Sequence, residues 1–296
     1  MHCTHIRKRS HSSARLLQKL AILFSIFSWL VGIPARATDL KPGTSAACDR
    51  YVKATEARME DDVRLNQFLV IDRLPDSQRQ EAYGQVRSGQ IYIEEMHTEQ
   101  EHHPISVPGG LIHHWAGVMF IPKGTLLEVL AVLNDYSNEP EIYKPEIRKA
   151  KLIEKKGMES KIYLQLFNKS IITVVLNGYF TIVETPLGPT RSESASRSTR
   201  IVEVENPGSP DEHERNDGGD HGYMWRLNSY WRIEEKDGGV YIQNESVTLT
   251  RTVPIMLAWI INPLTKSIPR DVLVHMLTDT QKAILQTGAG GRQSRP

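Results

Sequence analysis

Two cysteines in 296 residues exclude a disulfide-stapled scaffold. Cys3 sits in the leading segment and Cys48 then stands alone, so an internal bridge is not expected. There is no C-x-x-C pair, no H-E-x-x-H or H-x-x-x-H spacing and no G-x-S-x-G elbow. The usual zinc, metalloprotease and serine-hydrolase signatures are therefore missing. The acidic stretch from Asp211 to Asp220 lacks the ligand spacing of an EF-hand. A long apolar run is missing too: Leu20 to Val31 is the best candidate and is short for a membrane span. An excess of positive charge is only apparent. Six of the 36 Lys/Arg fall in residues 1–37, where there is no Asp or Glu. Residues 38–296 carry 30 basic against 35 acidic residues, a balance of −5, which argues against nucleic acid as a partner.

What is present begins with a leader. Arg7, Lys8, Arg9, Arg15 and Lys19 precede the apolar run, and Ala35-Arg36-Ala37 offers an A-x-A cleavage site before Thr38. The expectation is a signal peptide over 1–37 and a periplasmic or secreted protein, with an uncleaved anchor as the rival. Residues 38–105 read as a mostly helical N-terminal extension. A helix is expected over 48–69, and a second over 77–87 after Asp76 as N-cap. Ile91 and Ile93 suggest a short strand.

After the turn-rich stretch Pro104–Gly110, strands dominate. Leu111–Pro122 is the first, and Thr125 caps a helix carrying Leu126, Leu127, Val129, Leu130 and Leu133. Strand-like runs come next over 147–155, 161–168, 171–185, 190–205, 223–235 and 240–251. Their short connections predict an antiparallel meander. The polar loop Asn206–Gly222 interrupts it. The chain then closes on an apolar helical segment from Thr252 to Leu285. Val253, Ile255, Met256, Leu257, Trp259, Ile260 and Ile261 crowd its start. Val272, Leu273, Met276, Leu277, Ala283 and Ile284 form a stripe beyond Pro263 and Pro269. Such a stripe needs a broad apolar surface to lie on.

Three stretches carry a family resemblance: Phe120-Ile121-Pro122 leading into Leu126–Tyr136, Gly239-Val240-Tyr241-Ile242 after Asp237-Gly238, and Pro254 with Trp259 before Ile268-Pro269-Arg270. Over roughly 108–286 the chain resembles the START-like superfamily, also called the polyketide cyclase/SRPBCC or helix-grip proteins. The resemblance implies an α+β fold, a curved antiparallel sheet wrapped around a long C-terminal helix over 106–290. It also implies a hydrophobic small molecule or lipid as partner, with transient membrane contact. A carrier or sensor without catalysis is expected, and neither a cofactor nor a metal is. The alternatives are a cyclase- or hydratase-like enzyme using the same pocket, and a cell-envelope interaction protein.

Strand parity nominates the lining. Leu164, Leu176, Phe180, Trp225, Trp231, Gln243, Glu245, Trp115 and Met276 are the expected ligand-binding residues. Glu245 is the acid/base of the enzymatic alternative. Its other role is an ion pair with Arg197, Arg200 or Arg226. Leu111–Pro122 has ambiguous parity, because apolar residues occupy both of its faces. Ser192, Ser194, Ser196 and Ser198 alternate along one strand and read as a small, wet face. His113 and His114 are adjacent on a strand, so they point to opposite faces and are poorly placed to share a metal.

Overall fold

The computed structural model describes residues 40–100, 103–169, 173–216, 219–252 and 255–293, with side chains in the last span from 267 to 287. Residues 1–39, His102, Ile172, Val253, Pro254 and the apolar side chains from Ile255 to Pro263, Trp259 among them, lie outside that description.

A helix, α1 (Pro42–Arg64), opens the described chain with proline in its first turn, where the missing N–H costs nothing. It starts earlier than expected, and the segment predicted to carry it to Leu69 gives way instead to a 3-10 turn, Val70–Arg73. α2 (Asp76–Arg87) comes next, with Pro75 rather than Asp76 at the N-cap. β1 (Tyr92–Glu95) and the small ladder of β2 (Glu99–Gln100) with β3 (His103–Pro104) lead into β4 (Gly110–Pro122). Thr125 caps α3 (Leu126–Leu133) as expected, and within a reciprocal box: its hydroxyl takes the Glu128 N–H, and the Glu128 carboxylate takes the Thr125 N–H at 2.9 Å. A short α4 (Glu139–Ile142) precedes the meander.

The meander runs β5 (Ile147–Lys156), β6 (Glu159–Lys169), β7 (Thr173–Pro186), β8 (Arg191–Glu205), β10 (Arg226–Lys236) and β11 (Gly239–Arg251). The loop between β8 and β10 is not wholly irregular. It forms β9 (His213–Glu214) on the edge of β8. The strand order is β1-β4-β11-β10-β8-β7-β6-β5, antiparallel at every pairing. The last helix, α5 (Ile255–Gln293), continues through Pro263 and Pro269.

The curved sheet is covered on both faces. On the helix face Met119, Ile121, Trp231, Ile233, Val240 and Ile242 pack with Leu273, Leu277 and Ile284 of α5 and with α3. At Gly117 the approach is close: a Cβ there would lie 2.6 Å from a Leu277 methyl and 2.7 Å from Ile93. On the back face α1, the 3-10 turn and α2 pack against alternate residues of the same strands. Phe68, Leu69, Ile71 and Val86 meet Ala116, Val118, Phe120 and Tyr241. Tyr51 and Met59 meet Tyr230 and Val247. That explains the ambiguous parity of β4: both of its faces are core. With its sheet order and its gripped terminal helix, the chain has the expected α+β helix-grip arrangement, a curved antiparallel sheet around a long C-terminal helix.

Candidate functional site

Register lines fix which side chains share a face. Ile162, Leu164 and Leu166 on β6 lie beside Phe180, Gly178 and Leu176 on β7. Phe180 sits in a second cluster of the helix face with Tyr136, Tyr143, Ile147, Ile162 and Leu164. Met276 of α5 bridges that cluster to the first. The Phe180 ring folds back over Gly178, where a Cβ would lie 2.5 Å from it, so only glycine leaves the ring room. Six of the nominated residues therefore share the helix face: Trp115, Leu164, Leu176, Phe180, Trp231 and Met276.

Trp225, Gln243 and Glu245 do not join them. Trp225 precedes β10 and packs with Cys48 and Leu249 under the start of α1. The Gln243 side-chain oxygen accepts the Val70 N–H at 2.6 Å. Glu245, fully buried, faces α1. Parity groups the residues of β11 correctly, but the direction of the face is reversed. Tyr241, Gln243, Glu245, Val247 and Leu249 lie under the N-terminal helices, and Ile242, Asn244, Ser246 and Thr248 take the helix face. Apolar alternation identifies a core-facing set, but here two cores compete for it.

The surroundings of Glu245 form a buried polar cluster. His114 Nε2 lies 2.7 Å from the Glu245 carboxylate, and Arg58 of α1 pairs with the same oxygen. On the other side of the ring, His114 Nδ1 is 3.0 Å from the Tyr51 hydroxyl, which accepts the Thr98 N–H at 3.0 Å. This pattern fits a neutral imidazole, with Nε2–H donating to Glu245 and Nδ1 accepting from Tyr51. Burial pulls the His114 pKa below its ordinary value, against the raising effect of Glu245. Burial works to raise the Glu245 pKa, but the His114 hydrogen bond and the Arg58 and Arg232 charges hold it below the usual carboxylate range. Arg58 also binds Asp62 at 2.8 Å. Arg232, 2% exposed, donates to the carbonyls of Phe68 at 2.9 Å and Met59 at 2.5 Å. The cluster fastens α1 to β11 and β10.

The arginines nominated as partners of Glu245 are engaged elsewhere. Arg197 pairs with Glu56 at 2.7 Å, Arg200 with Glu214 at 2.7 Å, and Arg226 reaches the Ser45 hydroxyl at 3.4 Å. The true partner, Arg58, is 187 positions away in an extension whose sequence carries no sign of touching the sheet. Sequence patterns raise His114 only as a metal ligand. The signal that could have found its role is its place near Glu245 across the β4–β11 ladder: His114 aligns with Val247, two residues along and on the same face.

Among the described residues no group of three or more His, Cys, Asp or Glu is placed to hold a metal ion. Cys48 is buried, and burial pushes its thiol up to about 11. A thiol held that high is a poor nucleophile.

No family model matches the chain, and no curated protein matches it. Among solved structures it is similar to a STAR-related lipid transfer protein fragment from Xanthomonas axonopodis, at 14% identity and TM-score 0.41, covering 60% of this chain and 95% of that one. It is also similar to human STARD10, at 12% identity and TM-score 0.42, covering 75% and 84%. A third similarity is to the Zhui aromatase/cyclase from Streptomyces sp. R1128, at 13% identity and TM-score 0.39, covering 62% and 97%.

Proposed function

We propose that this chain is an exported binding protein for a hydrophobic small molecule or lipid, held between the helix face of the sheet and α5, and acting as carrier or sensor. The supporting observation is that this face is fully closed where β4, β11 and β10 meet α3 and α5 and only half-closed elsewhere. Met119, Ile121, Ile233 and Ile242 are fully buried, whereas Trp115, Leu166, Ile182 and Leu227 keep partial access to solvent. Apolar surface left reachable inside a gripped sheet gains about 25 cal/mol per Å² when a ligand covers it, before the costs of association. Native mass spectrometry of protein purified from cells is expected to show a co-purifying apolar mass. A homogeneous unliganded mass that also fails to take up added lipid would overturn the reading.

The enzymatic alternative with Glu245 as acid/base loses its support, since that carboxylate is committed to His114 and Arg58 behind the sheet. The interaction-protein alternative needs a free N-terminal extension, and α1 and α2 bury their apolar faces on the sheet. Export rests on the leader sequence, and the mass of the mature N-terminus checks it: a first residue of Thr38 is expected. For transient membrane contact the β5–β6 hairpin is suited. It exposes Leu152, Ile153 and Met158 beside Lys151, Lys155 and Lys156. Met158→Asp is expected to slow ligand delivery to anionic vesicles, and an unchanged rate would remove this role.

A further inference from the structure

The middle of the helix face is polar without being charged. Register places Ser196 of β8, Ser229 of β10 and Ser246 of β11 opposite one another in a line across three strands, ending on Trp115 of β4. The next line holds Ser194, Trp231 and Asn244, and Asn244 Nδ2 donates to the Ser229 hydroxyl at 2.8 Å. Ser194, Ser196, Ser229 and Ser246 are all partly accessible. Among the described residues, the Ser194, Ser196 and Ser246 hydroxyls have no side-chain hydrogen bond, unlike the polar groups of the back face, which are densely paired.

Charge borders this patch: Glu184 lies directly opposite Ser194, and the other carboxylates sit at the ends of the face. Glu235 accepts the Leu126 N–H at 2.7 Å, and Glu184 takes the Asn134 amide at 3.2 Å, both at the α3 end. Glu203 is held by His221 at the opposite end. Lys155, at the β5 edge of the same face, pairs with Glu184 at 3.8 Å, and the described helix-face residues of β8, β10, β11 and β4 include neither a lysine nor an arginine.

From this we infer that the site selects a neutral amphipath, an apolar body carrying hydroxyl or carbonyl groups, over an anionic lipid or a plain hydrocarbon. The inference rests on the binding role proposed above and specifies its ligand. A serine hydroxyl both donates and accepts, so it is matched by a ligand hydroxyl or ester. Covering it with hydrocarbon removes its water and returns nothing, which penalises an apolar ligand. Without a cationic partner, a carboxylate or phosphate placed here would lose hydration uncompensated.

The test uses the purified full chain loaded with Nile red, a neutral apolar dye, and three competitors that share a twelve-carbon chain: monolaurin, laurate and dodecane. Monolaurin is expected to displace the dye at a concentration on the order of tenfold below the other two. The Ser229→Ala/Ser246→Ala variant should keep its melting temperature and lose that preference. Ser246→Ala alone, which leaves the Asn244 contact intact, should lose part of it. Equal displacement by all three competitors, a preference for laurate, or a preference retained in the folded variants overturns the inference while leaving the binding role standing. Failure of the chain to bind Nile red or any competitor overturns both.

Discussion

At the scale of single residues, Glu245 and Glu139 show opposite uses of a buried carboxyl. Glu245 is ionised and partnered, so Glu245→Gln removes a charge that Arg58 and His114 are built around. Breaking one member of a buried pair costs about 3 kcal/mol. Urea unfolding at pH 7 should show that loss, while apolar ligand binding on the other face stays intact. Because the folded-state pKa of Glu245 is depressed, its contribution is present above the ordinary carboxylate range and lost as pH falls below it, so the variant should have the shallower acid limb. Glu139 behaves in reverse. Burial, reinforced by Asp135, pushes it up to about 8, so the folded protein holds a proton there that the unfolded chain releases. Stability should therefore fall as pH rises from the ordinary carboxylate range to about 8. Glu139→Gln should flatten that slope in urea unfolding across the mildly acidic to mildly alkaline range, and an unchanged slope would show the carboxyl to be hydrated.

At the scale of elements, the α5–β4 contact is set by one missing side chain. Gly117 lets Leu273 and Leu277 lie close over the sheet. Gly117→Val should push α5 outward and destabilise by about 1–3 kcal/mol, the usual cost of overpacking, with a matching fall in urea midpoint. Element identity is largely legible in the sequence, because period-2 strands, the Thr125 capping box and the Asp237-Gly238 turn are local signals. Face assignment is legible only where one face is polar. On β7, Leu176 and Phe180 oppose Asn177 and Tyr179, and the pattern puts them on the correct side. On β11, Tyr241, Val247 and Leu249 oppose Asn244, Ser246 and Thr248, so the pattern marks the odd face as core, but that core lies under the N-terminal helices and not under α5. Glu245 and Gln243 go to the wrong side with them. Ser194 and Ser196 read as a wet face, but their alignment with Ser229 and Ser246 depends on register between strands, which sequence periodicity does not carry.

At the scale of the whole molecule, a single sheet supports two different interiors. The back is dense with ion pairs and fastens the N-terminal helices. The front is apolar at its flanks, hydroxylated at its centre and closed by the terminal helix. On the proposed function, ligand binding and structural locking are separated by the thickness of one sheet.

The bond from Arg58 to Glu245 also sets an order of events. The first described helix docks onto the last strand, so its partner surface does not exist until nearly the whole polypeptide has been made. Loop closure over such a distance is slow. A nascent chain would carry α1 exposed, with its tyrosine and arginines unsatisfied, until the final hairpin arrives. That late rendezvous of the two ends would act as a built-in delay on folding.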